Sequence, residues 1–159
     1  MKYYLAYGSN LNREQMAGRC PGAEAVGRAV IEGYRLAFRR TYLTIEPEEG
    51  CAVPAGVYRI SEENERALDR YEGYPRLYFK EDMKVPFMGY DPSGEHFEGT
   101  IEAMVYIMNA GFPVQGPTEQ YLEICRAGYA DFGLDLYPLS EAVARARARE
   151  EKRTYGLDE

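Results

Sequence analysis

The sequence predicts an α+β domain, and three observations lead there. Strand-like apolar runs recur at residues 3–7, 26–40, 52–60, 77–87 and 97–108. Helix-capping residues (Asn12, Ser61 and Thr118) stand among them, and the chain finishes in helical segments. Such an order suits a mixed sheet or a small barrel, and the pattern alone does not choose between the two. A chain of 159 residues is the size of one domain with a real core. One domain is therefore expected over residues 1–159, with a helical extension from about residue 139.

Residues 3–7 (Tyr-Tyr-Leu-Ala-Tyr) read as a short buried strand, broken by Gly8-Ser9-Asn10. Asn12 then caps a short helix, with Gln15 three residues on as its reciprocal partner and an end near Gly18. Residues 26–40 carry strand pieces with a turn or bulge around Gly33, and residues 52–60 form another strand. Ser61 is an N-cap, and Glu62 and Glu63 fall in the first turn, where the helix dipole favours acids. That helix should stop at Gly73, before Pro75. Two strands follow, separated by the turn signal Asp91-Pro92-Ser93-Gly94. Thr118 caps a longer helix whose apolar face holds Tyr121, Cys125, Tyr129 and Phe132, closed by Gly133. A last helix follows Pro138.

Composition narrows the function classes. A formal charge of −7 repels phosphate backbones and anionic membranes, so neither nucleic acid nor a membrane is the expected partner. The basic cluster Arg145, Arg147, Arg149, Lys152 and Arg153 is interrupted by Glu150 and Glu151, and reads as a solvated helix face with internal ion pairs. Cys20, Cys51 and Cys125 are odd in number and widely spaced, which is not a disulfide framework, and with His96 alone they do not make a zinc pattern. The N-terminal residues run directly into a strand pattern without signal-peptide features. A reducing cytoplasm, with no structural metal, is the expectation. The 15 Tyr and absence of Trp provide amphipathic rings, some of which could line a wet pocket.

Two local features point to chemistry. Tyr7-Gly8-Ser9-Asn10-Leu11 joins a strand to a helix start. Gly8 permits close backbone approach, and unpaired N–H groups at the turn suit a carboxylate or an oxyanion, although the same residues also make an ordinary turn. Glu72 lies four residues after Leu68, so it continues an apolar stripe, at the helix end where the dipole disfavours a negative charge. Burial and dipole both push a carboxyl pKa upward, toward general acid–base work; a Glu projecting from a frayed last turn is the alternative.

Taken together, Tyr7-Gly8-Ser9-Asn10-Leu11, Leu68-Asp69-Arg70-Tyr71-Glu72-Gly73 and Pro117-Thr118-Glu119-Gln120-Tyr121-Leu122 resemble the γ-glutamyl cyclotransferase family, which includes γ-glutamylamine cyclotransferases and AIG2-like proteins. The match runs from Tyr3 to about Leu134 and extends to Ile124, Gly128 and Gly133. The resemblance implies a small mixed β-barrel with flanking helices. It assigns Glu72 as catalytic, Tyr7, Gly8, Ser9, Asn10 and Leu11 as the substrate loop, and Tyr78 and Tyr121 as pocket tyrosines.

It also implies a cofactor-free reaction on a small γ-glutamyl molecule. The α-amine attacks its own γ-carbonyl, releasing 5-oxoproline and a free amine. The Glu72-Gly73-Tyr74-Pro75 run departs from members acting on free γ-glutamyl amino acids, leaving the amine unassigned. The wall that selects it is expected in residues 34–43 and 111–118. The rival readings are a non-catalytic binding protein on the same fold, cleavage of a γ-glutamyl amide on a larger partner, and a cysteine hydrolase using His96.

Overall fold

The computed structural model describes residues 1–156. Five strands, β1 (Lys2–Ala6), β2 (Glu24–Arg39), β3 (Tyr42–Ile60), β4 (Tyr78–Tyr90) and β5 (His96–Met108), close into a ring in the order β1-β3-β2-β4-β5. Neighbours are antiparallel except β1 and β5, which pair in parallel through Tyr3↔Ala103 and Tyr4↔Met104. The sheet is thus mixed, as the resemblance implies. Its inward side chains, among them Leu5, Ile31, Phe38, Val57 and Val105, form the core. The β2–β4 seam is only three pairs long and opens with Gly27↔Gly89. A Cβ on Gly89 would lie 2.0 Å from the Val26 carbonyl oxygen, so the two backbones meet there only because side chains are absent.

Four helices flank the ring: α1 (Arg13–Arg19), α2 (Glu62–Glu72), α3 (Glu119–Asp131) and α4 (Tyr137–Thr154). The caps fall where the sequence places them. Asn12 accepts from the Gln15 N–H (3.0 Å), and Thr118 from the Tyr121 N–H (3.1 Å). Ser61 and Asn64 exchange side-chain bonds in a full capping box. Gly73 ends α2 at φ 62°, and the Tyr74 N–H returns to the Asp69 carbonyl (2.9 Å). The Gln15 side chain does not close a box; it accepts from Arg19 (3.0 Å).

Two expectations need correcting. The strand expected from residue 52 begins at Tyr42, because the two strands form one long hairpin. Its register jumps from Glu32↔Ala52 to Tyr34↔Pro47, so residues 48–51 bulge out opposite Gly33. This stretch is solvated, and its Glu, Pro and Gly content hides the strand signal. The basic face of α4 is also more than a solvated surface. Arg145 donates to the Leu36 carbonyl (2.6 Å), Arg147 to that of Pro117 (3.1 Å) and Arg153 to that of Val114, fastening the helix to β2 and to the segment before α3. Arg147 also keeps the expected ion pair with Glu150 (3.3 Å). No helix among the described residues is long and apolar enough to cross a membrane.

The site depends on how α3 docks. A Cβ on Gly128 would lie 2.5 Å from the Asn12 nitrogen and 2.6 Å from Leu11, whereas one on Gly18 in α1 meets nothing within 4 Å. The same substitution should therefore act with opposite sign. Gly128→Ala is expected to destabilise the chain by about 1–3 kcal/mol through overpacking, and Gly18→Ala to stabilise it by about 0.5–1 kcal/mol through helix propensity. Urea unfolding of both variants tests the pair, and equal effects would refute the docking.

Candidate active site

Beyond β1 the chain passes through Tyr7 and Gly8 into a 3-10 turn, Ser9–Leu11, and then into α1. The turn's own bonds begin with Leu11 N–H to Gly8 C=O (3.1 Å) and Asn12 N–H to Ser9 C=O (3.0 Å). The N–H groups of Ser9 and Asn10 precede that ladder, as the first donors of any helical turn do. Two long-range bonds fix the approach: the Tyr129 hydroxyl donates to the Tyr7 carbonyl (2.9 Å), and the Tyr7 hydroxyl to the Tyr106 carbonyl (2.6 Å).

This loop forms one side of a cavity of about 210 Å³. That is smaller than the pockets that hold drug-sized ligands, and suits a head group of amino-acid size. Glu72 enters from the last position of α2, Tyr78 from the first of β4, and Tyr121 from the first turn of α3. Of the residues assigned from the sequence, Tyr7, Gly8, Ser9, Asn10, Glu72, Tyr78 and Tyr121 all line this space. Leu11 does not. It is wholly buried, wedged between Gly56 and Gly128, and serves as the loop's anchor in the core.

The sequence reading missed Tyr4, Tyr71 and Tyr106, which also line the cavity, and Arg19, which braces it. The Arg19 guanidinium donates to the Asn10 side-chain oxygen and lies over the Tyr71 ring, 3.5 Å from its centroid. Tyr71 in turn shares a hydrogen bond with Ser9 Oγ (2.9 Å), and Asn10 donates to the Tyr4 hydroxyl (2.8 Å). α1, the loop and α2 are thereby tied together around Glu72. Of the expected selecting wall, Tyr42 and Leu43 reach the cavity; residues 111–118 do not line it but back the hairpin tip. Tyr78 spends its proton on the Leu43 carbonyl (2.9 Å), and Tyr121 accepts from the Leu43 N–H (3.2 Å), so both act first as braces for that wall.

Glu72 is half-buried, and burial pushes its carboxyl up to about 7 while the charge of Arg19 pulls it down. Burial, followed by other charges that include Glu72, raises the hydroxyls of Tyr4 and Tyr78. Those phenols stay protonated near neutrality, and Glu72 is the cavity residue poised to exchange a proton there. The cysteine alternative has no such geometry. Burial raises the thiols of Cys20 and Cys125, the latter to about 12, and His96 sits at the β4–β5 hairpin against the Tyr90 ring (6.2 Å). Among the described residues, no group of three or more His, Cys, Asp or Glu is placed to hold a metal ion.

The sequence model of the family described as "Gamma-glutamyl cyclotransferase, AIG2-like" matches residues 4–126, a span that takes in Glu72 and Tyr121. A search of curated proteins gave no match. Among solved structures, one described as "Gamma-glutamyl cyclotransferase" superposes with a TM-score of 0.71 at 26% identity, over 92% of this chain and 86% of that one. An uncharacterized protein from Homo sapiens gives 0.68 at 25% identity over the same shares. A yeast cyclotransferase described as specific to glutathione shares the fold at 12% identity, with a TM-score of 0.54 over 92% of this chain and 99% of that one.

The raised carboxyl carries a stability consequence. The folded chain holds the Glu72 proton up to about pH 7, whereas the unfolded chain releases it in the ordinary carboxylate range. The contribution to stability is therefore full below that range and is lost as pH rises through about 7. Glu72→Gln has no proton to lose. At about pH 8 it should be more stable than the wild type by about 1–3 kcal/mol, counting about 1.4 kcal/mol per pKa unit less solvent screening. The gap should close near pH 5, and urea titrations at both pH values would expose a constant difference if burial does not load the carboxyl.

Proposed function

The chain belongs to the γ-glutamyl cyclotransferase, AIG2-like family, and from that premise we propose that it converts a small γ-glutamyl compound into 5-oxoproline and a free amine. The observation that carries the proposal is Glu72, a carboxyl raised to about 7 in a cavity walled by the loop after β1. The α-amine of the γ-glutamyl group attacks its γ-carbonyl, a five-membered lactam closes, and the γ C–N bond breaks. Every atom comes from the substrate, so the reaction balances without a cofactor.

Two tasks fall to the protein. The first is to hold the folded-back conformer in which amine and carbonyl meet. Orientation of this kind is worth about 7–11 kcal/mol in the best intramolecular cases. The loop N–H groups of Gly8, Ser9 and Asn10 would hold a substrate carboxylate or the developing oxyanion, and the rings of Tyr78 and Tyr121 would wall the cavity. The second task is proton traffic. Glu72 takes a proton from the attacking amine and returns one to the departing nitrogen, which suits a group whose pKa lies near the working pH.

Glu72→Gln is expected to lower 5-oxoproline formation by about 10²–10⁴-fold, measured by mass spectrometry on a panel of γ-glutamyl amines and amino acids. Near-normal turnover by this variant would end the assignment. A ligand that binds and survives unchanged in the wild type would instead indicate a binding protein. Because Glu72 must be ionised to accept the first proton, kcat/KM should rise through about pH 7. Arg19 holds the Glu72 pKa down, so Arg19→Gln should move this acidic limb to higher pH, a shift that loss of a purely structural brace would not produce.

A further inference from the structure

The tip of the β2–β3 hairpin is built against backbone preference. Arg40 (φ 52°) and Thr41 (φ 70°) both occupy the left-handed region. A two-residue hairpin turn with positive φ at both positions favours Asn-Gly, whereas a β-branched Thr there is an outlier. The surroundings impose the conformation. The Arg40 N–H donates to the Pro113 carbonyl (3.2 Å), the Thr41 N–H to that of Gln115 (3.1 Å), and the Gln115 N–H back to Phe38 (3.3 Å). Strained backbone held in this way clusters at ligand clamps.

The tip also adjoins the cavity. Tyr42 and Leu43, the next two residues, line it, and the Tyr42 ring stands edge-on to Tyr121 at 5.2 Å. Arg40 is half-buried, with its guanidinium over the Phe112 ring, 5.0 Å from the centroid. Its charge reaches the Tyr78 hydroxyl, where it opposes the upward push of burial and of Glu72. Arg19 stands with Asn10 and Glu72, at the reacting part of the cavity. Neither guanidinium lines the cavity, but Arg19 stands behind it by the reacting carboxyl and Arg40 at the hairpin tip next to Tyr42 and Leu43.

Building on the cyclotransferase reading, we infer that Arg40 is a specificity-determining residue that receives a carboxylate on the leaving amine. The preferred substrates are then γ-glutamyl compounds whose amine half bears a carboxylate, over γ-glutamyl amines that lack one. The turn fixes the Arg40 backbone and the Phe112 ring packs against its guanidinium, which reduces the entropy cost of ordering the side chain on a ligand.

The test compares γ-glutamyl-alanine with γ-glutamyl-ethylamide, which lacks only the carboxylate, by turnover and by calorimetric binding. The wild type should favour the alanine compound by about 10- to 100-fold, the worth of a charged hydrogen bond. Arg40→Asn removes the guanidinium but tolerates left-handed backbone. It should unfold no earlier than the wild type while the preference falls to near one, and Arg40→Lys should retain part of it. A wild type with no preference, an Arg40→Asn variant that keeps it, or failure of the alanine compound to bind would overturn the role of Arg40. Binding with the expected preference but no 5-oxoproline would instead overturn the cyclotransferase reading and leave the role of Arg40 supported.

Discussion

The burial of Leu11 is the contact on which the site rests. Two glycines make room for it: a Cβ on Gly56 in β3 would lie 2.6 Å from its methyl group, and one on Gly128 in α3 equally close to its Cβ. With the side chain locked between ring and helix, the turn that begins at Ser9 cannot drift, and the cavity-facing atoms of Gly8, Ser9 and Asn10 inherit that position. The Tyr129 hydroxyl on the Tyr7 carbonyl fixes the other end. The loop is rigid because its final residue belongs to the core, the kind of support a preorganised site needs.

The same rigidity explains how a carboxyl can remain where water is scarce. Ionised Glu72 is disfavoured by burial, and Arg19 provides the opposing charge. Arg19 is itself engaged by Asn10, Gln15 and the Tyr71 ring, and its charge offsets the effect of burial on the carboxyl only in part. The carboxyl is therefore left between proton-bearing and ionised states near neutrality, a balance a free ion pair would abolish. An ion-paired cluster stands nearby on α2, where Lys80 meets Glu65 (2.8 Å) and Asp69 (3.1 Å); burial pushes the Glu65 carboxyl up, but Lys80 and Lys2 together bring it below its ordinary range. Two acids on one helix are driven in opposite directions by their surroundings.

Features set by local chemistry were legible in the sequence. The caps at Asn12, Ser61 and Thr118, the stop at Gly73 and the inward placement of Glu72 depend on neighbours within a turn. The cavity walls were less legible, because they are assembled across long separations. Arg19 reaches Tyr71 only after α1 and α2 come together, and Tyr106 joins from β5. Leu11 was misassigned because adjacency to a binding loop looks the same in sequence whether a side chain faces ligand or core. The α4 arginines were read as surface because their acceptors are backbone carbonyls, which carry no residue-type signal.

The abundance of tyrosine around one glutamate suits the proton shuttle proposed for Glu72. Rings displace water and so help raise the carboxyl, while their hydroxyls hydrogen-bond the backbone of the opposite wall, as Tyr7 does to Tyr106 and Tyr78 to Leu43. A histidine in the same place would titrate in the same range and compete for the proton. Burial and the nearby carboxylate instead drive the tyrosine pKa values further from neutrality. In the proposed reaction the walls would then stay protonated and leave the exchange to Glu72, the one carboxyl that lines the cavity.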